Sequence, residues 1–209
     1  MKKTLIINLL LILLAGSSAL NAQSGLYFDA SQLYTTFKFS DSQGNALNSD
    51  YHGMFKGAYG FGYRFVLDNG FTIKTGIGMN KAGATMVYDD MNYKWDLQYA
   101  VFKLGLGYML KRDRVSPYVI ISGYYGYMLS GYQTLNNEDF DIKDSQSLQV
   151  SDYGLYFTPG VEINFTEAIS SYIEFNYMMG LQNLEKVETQ KSSNNAYGLT
   201  LGLTFSFIK

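Results

Sequence analysis

Over most of its length the chain alternates apolar residues with small or polar ones at a period of two. From Phe55 the odd positions read Phe55, Gly57, Tyr59, Phe61, Tyr63, Phe65 and Leu67, and the even ones Lys56, Ala58, Gly60, Gly62, Arg64 and Val66. Successive side chains of a strand point to opposite faces, so this segment has one aromatic face and one small or charged face. The pattern resumes after Asp68-Asn69-Gly70, where Phe71, Ile73, Thr75, Ile77 and Met79 oppose Thr72, Lys74, Gly76, Gly78 and Asn80. Two such runs joined by a short Asn-Gly turn predict a hairpin. A second hairpin is predicted around Thr166-Glu167-Ala168, entered through Tyr153, Leu155, Phe157, Val161 and Ile163 and left through Ile169, Ile173, Phe175, Tyr177 and Met179. The last run, residues 197–207, alternates in the same way.

Three segments are less regular. Residues 95–110 are apolar on odd positions through Val101 and on even positions from Phe102, which predicts a bulge near there. Residues 26–39 change parity between Ala30 and Leu33, and residues 118–129 are apolar on both faces. Together the runs make eight strands. The connections after the second, fourth and sixth are short (68–70, 111–117, 166–168), and those after the first, third, fifth and seventh are long and polar (40–51, 81–92, 133–151, 183–195). Short turns on one rim and long loops on the other predict an all-β fold, an eight-stranded antiparallel up-and-down transmembrane β-barrel, with both termini on the short-turn, periplasmic side.

The start of the chain agrees with export. Lys2 and Lys3, the apolar stretch 5–14 and small residues toward Ala22 have the three-part form of a secretory signal. The expected division is a signal peptide over 1–22 and an outer-membrane barrel domain over 23–209, with cleavage after Ala19 as the alternative. The apolar stretch is shorter than the ~20 residues of a spanning helix. Cysteine is absent, so neither disulfides nor a lipid-bearing cysteine enter the fold. Without residues 1–22 the chain has 14 basic and 18 acidic side chains, no footprint for nucleic acid.

If the aromatic faces meet outer-membrane lipid, the opposite positions fill a lumen too narrow for a channel. Inward glycines are expected to make room for long charged side chains, and buried charges need partners. Arg64, Lys74 and Lys103 are therefore expected to pair with Glu162 and Glu174 as a structural network, a gate or polar ligand site being the sharper reading. Tyr59, Tyr63, Tyr99, Tyr153, Tyr177 and Trp95 are candidates for outward interfacial girdles, with a carbohydrate-binding stripe as the alternative.

Motifs for catalysis are weak. His52 has no serine at strand spacing to activate. Glu138, Asp139, Asp141 and Asp144 lack the glycine and terminal glutamate of a calcium loop and read as a solvated acidic loop. The Gly-x-Gly pairs at 60/62, 76/78 and 105/107 lie inside strands with no following helix. No catalytic, cofactor-binding or metal-ligating set is assigned.

The whole exported part resembles an outer-membrane β-barrel family common in Bacteroidota that includes PorT-like proteins. The resemblance is carried by residues 97–108, by Ser116-Pro117-Tyr118-Val119-Ile120-Ile121-Ser122-Gly123, by Gly160-Val161-Glu162-Ile163, and by the signal end Leu20-Asn21-Ala22-Gln23. It departs in ending on Lys209 rather than on an aromatic. The resemblance implies a small porin-family barrel in the cell envelope. The expected role is non-enzymatic, structural or surface-interacting through four outer loops, the alternative being an accessory of transport or protein secretion and, further off, a lipid-modifying enzyme. An envelope protein partner or an extracellular ligand at the loops stays open.

Overall fold

The structure, a computed structural model, describes residues 24–40, 43–46, 50–88, 90–143, 148–186 and 190–206. The expected signal peptide (1–22), Asp144 and the terminal Phe207-Ile208-Lys209 lie outside them. Nine strands are present in this range: β1 (Gly25–Ser40), β2 (Tyr51–Val66), β3 (Phe71–Tyr88), β4 (Met91–Met109), β5 (Val115–Leu135), β6 (Glu138–Asp141), β7 (Ser151–Asn164), β8 (Ile169–Gly180) and β9 (Lys191–Ser206). Eight of them close a ring in the order β4-β3-β2-β1-β9-β8-β7-β5, with β5 back on β4. Each pairs antiparallel with its neighbour in the chain, apart from the closing pair β1/β9, which runs from Gly25↔Ser206 to Ser40↔Lys191. The ninth strand, β6, stands outside the ring on the far end of β5.

The alternation sets the two faces of this ring. Phe55, Tyr59 and Phe61 on β2 point away from the lumen, Phe55 being 70% exposed, and Ile77, Leu104, Ile121, Ile173 and Leu201 continue the apolar band around the other strands. So continuous an apolar exterior is stable only against hydrocarbon. On the loop side, cross-strand partners Tyr125↔Tyr153, Tyr177↔Tyr197, Tyr197↔Tyr34 and Tyr34↔Phe55 form an aromatic belt. Tyr59, Tyr63, Tyr153 and Tyr177 face outward as expected. Tyr99 does not: it is 2% exposed, inside the barrel. Trp95 also turns inward, where its ring lies 5.5 Å from Tyr51 and 6.0 Å from Phe37.

Both corrections have one cause. β4 carries no bulge of its own, because its register with β3 is unbroken from Phe71↔Tyr108 to Tyr88↔Met91. Its odd positions face the lumen throughout, and the parity change reflects the lumen: polar near the termini, apolar near the loops, where Leu97, Tyr99 and Val101 pack together. The same holds for β1, whose inward residues pass from Tyr27, Asp29 and Ser31 to Leu33 and Phe37. The register shift nearby falls on β5, where Leu129 is the extra residue between Met128↔Tyr99 and Ser130↔Gln98. A second shift puts one extra residue on β2 between Gly53 and Ala58.

The terminus-side turns are short, as expected. In the β2–β3 turn Gly70 adopts φ +87°, a conformation a side chain would strain, and Gly70 N donates to Leu67 O at 2.9 Å. On the opposite rim the predicted loop 81–92 is largely strand, and the predicted loop 133–151 is strand in part. β3 and β4 continue to Tyr88 and Met91, and β5 continues to Leu135 before reversing through Asn136-Asn137, both at positive φ, into β6. Ile142, Leu148 and Leu184 then fold back over the mouth into the core of the loop-side half.

Leu201 lies midway along the outward file that runs from Tyr197 to Phe205 and is 62% exposed. Leu201→Arg is expected to lower unfolding stability in lipid vesicles by about 2–4 kcal/mol, and Tyr197→Arg at the belt by roughly 0–1. Urea titration followed by tyrosine fluorescence measures both, and equal losses at the two positions would contradict the assigned membrane depth.

Candidate functional site

The chemistry-bearing side chains converge in the terminus-side half of the lumen. Period two brings Asp29 of β1, Arg64 of β2, Lys74 of β3, Lys103 of β4, Glu162 of β7 and Glu174 of β8 to one level of the ring. Arg64 is 0% exposed and its Nη2 pairs with Glu162 Oε2, while Ser170 Oγ hydrogen-bonds Glu162 Oε1. Arg64 Nη2 also donates to Thr204 Oγ1 at 3.2 Å. Its guanidinium sits between two rings, 5.6 Å from the centroids of both Tyr118 and Tyr172. Lys74 Nζ donates to Glu174 Oε1 at 2.6 Å and lies 3.9 Å from Asp29 Oδ2. Tyr118 OH donates to Glu174 at 2.8 Å and Tyr172 OH to Asp29 at 3.1 Å.

Lys103 departs from the expected pairing. It forms no ion pair among the described residues and instead lies 4.4 Å above the Tyr156 ring. Glu174 Oε1 is held by Lys74 and Tyr118, and the two carboxylate oxygens of Glu162 by Arg64 and Ser170. Asp29, which the parity change in β1 obscured, brings the group to three cations and three carboxylates and leaves it formally neutral. The glycines make room for a charged chain at Gly60, where a Cβ would lie 2.6 Å from Asp29 Oδ1, and elsewhere for tyrosines: a Cβ at Gly160 would come within 2.6 Å of the Tyr118 ring, and one at Gly202 would collide with the ring of Tyr172.

Above this layer Ser31, Ser122, Thr158, Asn176 and Thr200 surround a cavity of about 30 Å³ beside Lys103, room for roughly two or three waters. Asn176 Nδ2 donates to Thr200 Oγ1 at 2.7 Å and Thr158 Oγ1 to Asn176 Oδ1 at 2.8 Å. Higher still the lumen is apolar, packed by Leu33, Leu97, Val101, Tyr124, Met128 and Met178 among others. One carboxylate stands in it: buried Asp152 accepts from Tyr124 OH at 3.0 Å and Asn194 Nδ2 at 2.8 Å. A further ion pair, Lys56 with Asp96 at 2.5 Å, lies near the loop side.

The other candidate residues stay apart. His52 is exposed on β2, and its carbonyl accepts from Thr85 Oγ1 at 3.4 Å. Glu138, Asp139 and Asp141 are exposed along β6, where Asp139 accepts from Thr134 Oγ1 at 2.6 Å and Asp141 from Lys143 N at 2.9 Å. Among the described residues no three acidic, histidine or cysteine side chains are grouped to hold a metal ion. In the β8–β9 loop, partial burial pushes the Glu185 carboxyl up from its ordinary value, a shift opposed by the Ser192 hydroxyl that donates to it at 2.9 Å.

A closed antiparallel ring with an apolar exterior and a packed polar and apolar interior defines a transmembrane β-barrel protein. The chain belongs to the outer membrane protein β-barrel domain family, which matches residues 7–207. Among solved structures it is similar to Neisserial surface protein A, with 15% identity over 89% of this chain and 100% of that one and a TM-score of 0.49. It is also similar to OprG of Pseudomonas aeruginosa (13% identity, 88% and 98% covered, TM-score 0.49) and to Ail of Yersinia pestis (11% identity, 88% and 99% covered, TM-score 0.40). No curated protein sequence matches the chain significantly.

Removing one member of a buried ion pair leaves the other charge without its partner. Arg64→Met and Glu162→Leu are each expected to lower stability by about 3–5 kcal/mol, and the double replacement by much less than their sum. A double-mutant cycle in urea measures this, and additive losses would show that the two charges do not stabilise one another.

Proposed function

We propose that the protein is a non-enzymatic, non-conducting integral barrel of the outer membrane that presents its long loops outside and keeps both termini in the periplasm after removal of residues 1–22. The observation that carries this reading is the lumen. Its terminus-side half is filled by the Arg64, Lys74 and Lys103 layer with its tyrosines, and its loop-side half by an apolar core capped by Ile142, Leu148 and Leu184. The charge layer then acts as a brace, with every carboxylate in it hydrogen-bonded or ion-paired. What varies and faces the surroundings is the loop rim, the place for an extracellular ligand or an envelope partner.

A second reading takes the PorT-like resemblance of residues 97–108 and 116–123 further and makes the chain an accessory of transport or secretion in a Bacteroidota envelope. It is favoured by the β3–β4 and β5–β6 hairpins, which extend the wall on the loop side into a surface a partner can grip.

Single-channel recording in planar bilayers separates a closed barrel from a gated one. The wild-type chain is expected to give no conductance steps above background. Leu97→Ser/Met128→Ser/Leu184→Ser, which wets the apolar storey, is expected to stay closed too as long as the charge layer is intact. Regular openings of the wild type would sink the reading and turn the Lys103 cavity into part of a pathway.

A further inference from the structure

The three turns on the terminus-side rim differ in charge. The β2–β3 turn carries Asp68 and the β7–β8 turn Glu167, whereas the β4–β5 turn reads Lys111-Arg112-Asp113-Arg114. Its backbone is fixed from three sides. Leu110 N donates to Pro117 O at 2.9 Å, Arg112 N to Ser116 Oγ at 3.1 Å, and Asn164 of β7 donates through N to Arg114 O at 3.0 Å and through Nδ2 to Asp113 O at 3.3 Å. Lys111 leans 3.6 Å from Asp68 of the neighbouring turn. Arg112 and Arg114 are exposed and enter no ion pair among the described residues.

The surroundings of these cations are equally specific. The outward file of β4 runs Phe102, Leu104, Leu106, Tyr108 and Leu110, all exposed, straight down to the turn. A hollow of about 290 Å³ opens between the two neighbouring turns, bounded by Asp68, Gly70, Tyr108, Leu110, Lys111 and Arg112, with the Asp68 carboxylate drawn toward Lys111. An apolar track that ends in unpaired guanidinium groups carried on a hydrogen-bonded turn matches a lipid with a phosphate at its head. Arginine suits that phosphate because its planar fork takes two oxygens at once.

We infer that the β4–β5 turn docks the phosphodiester headgroup of an anionic phospholipid, with Arg112 and Arg114 on the phosphate and the acyl chains along the Leu106-Tyr108-Leu110 file. The site lies in the leaflet at the terminus-side rim, so the inference rests on the barrel spanning a membrane but not on which side that rim faces. Asp113 and Asp68 limit the local excess of charge, which makes selection modest: on the order of tenfold over a zwitterionic lipid at low salt, shrinking as salt is raised.

The test uses the full-length exported chain in nanodiscs of phosphatidylcholine with a minor share of phosphatidylglycerol, reading by native mass spectrometry which lipid stays on the barrel. The expected result is several-fold enrichment of phosphatidylglycerol, lost in Arg112→Gln/Arg114→Gln and kept in the opposite-rim control Lys94→Gln/Lys143→Gln. Gel mobility of unheated samples certifies that each variant is folded, and Arg112→Lys/Arg114→Lys, with charge retained, is expected to recover part of the enrichment. Equal retention of the two lipids, or equal loss in the control, would overturn the site. Displacement of the lipid by inorganic phosphate at millimolar concentration would assign the pocket to a free anion and overturn the lipid as its occupant. Susceptibility of the loops to protease on intact cells reports orientation separately, so a reversed barrel and an absent lipid site give different results.

Discussion

Everything in this molecule follows from the inability of hydrocarbon to hydrogen-bond a peptide group. A sheet that enters lipid has to pair its first strand with its last, and β1 and β9 do so along their whole length, from Gly25↔Ser206 to Ser40↔Lys191. Closure with eight strands leaves an interior only wide enough for side chains, so the lumen has to be packed as a protein core is packed. Wall and core are thus inverted relative to a soluble protein. The largest apolar surface lies outside against lipid, and the charges lie inside.

Charges inside a narrow barrel are tolerated because they form a formally neutral group in which Arg64 and Lys74 are ion-paired and Lys103 lies against the Tyr156 ring. Tyrosine makes this work. Tyr118 and Tyr172 flank Arg64 with their faces and direct their hydroxyls at Glu174 and Asp29, so each ring meets a cation with its face and an anion with its O–H. Each of these rings lies over the neighbouring strand at the position paired with it in register, and glycine there, Gly160 beside Tyr118 and Gly202 beside Tyr172, leaves the ring its room. Glycine, tyrosine and charge are one packing unit here, which explains why a chain with 21 glycines and 19 tyrosines holds together without a disulfide.

The outward half of this arrangement was readable from alternation alone, since lipid imposes one rule on every outward position. Phe55, Tyr59 and Phe61 followed it, and so did the turn at Asp68-Asn69-Gly70. The inward half was readable only where it is polar. Arg64, Lys74, Glu162 and Glu174 stood out against apolar neighbours, but Leu97, Tyr99 and Val101 are as apolar as the lipid-facing residues between them, so the period vanished and a bulge was expected where the strand is regular. Asp29 was lost to the same ambiguity in β1. The pairing of Lys103 was missed for another reason, because which cation meets which carboxylate depends on the relative stagger of β4, β7 and β8, and no local pattern encodes that. The extent of β3, β4 and β5 above the belt was hidden by polar residues that form strand perfectly well in water.

With the lumen filled and the wall committed to lipid, selectivity toward other molecules is left to the two rims, and they are built differently. On the loop side Ile142, Leu148 and Leu184 are part of the same core as Met128 and Met178, and Gln149 N donates to Leu184 O at 2.7 Å to tie two loops together. The bases of those loops are therefore bound by the packing rules of the barrel, while at the tips Asp90, Asn136 and Asn137 hold the positive φ of tight reversals, and Asn136 N donates to Asn92 O at 3.1 Å while its Oδ1 accepts from Asn92 N at 3.0 Å. On the terminus side the turns are too short for any such division. There the backbone geometry is fixed by closure of the ring, and only charge is left to vary, as the contrast between Asp68, Glu167 and the Lys111–Arg114 turn illustrates. The two rims of this barrel are thus set apart by shape on one side and by charge on the other, the two properties that neither lipid nor lumen has already fixed.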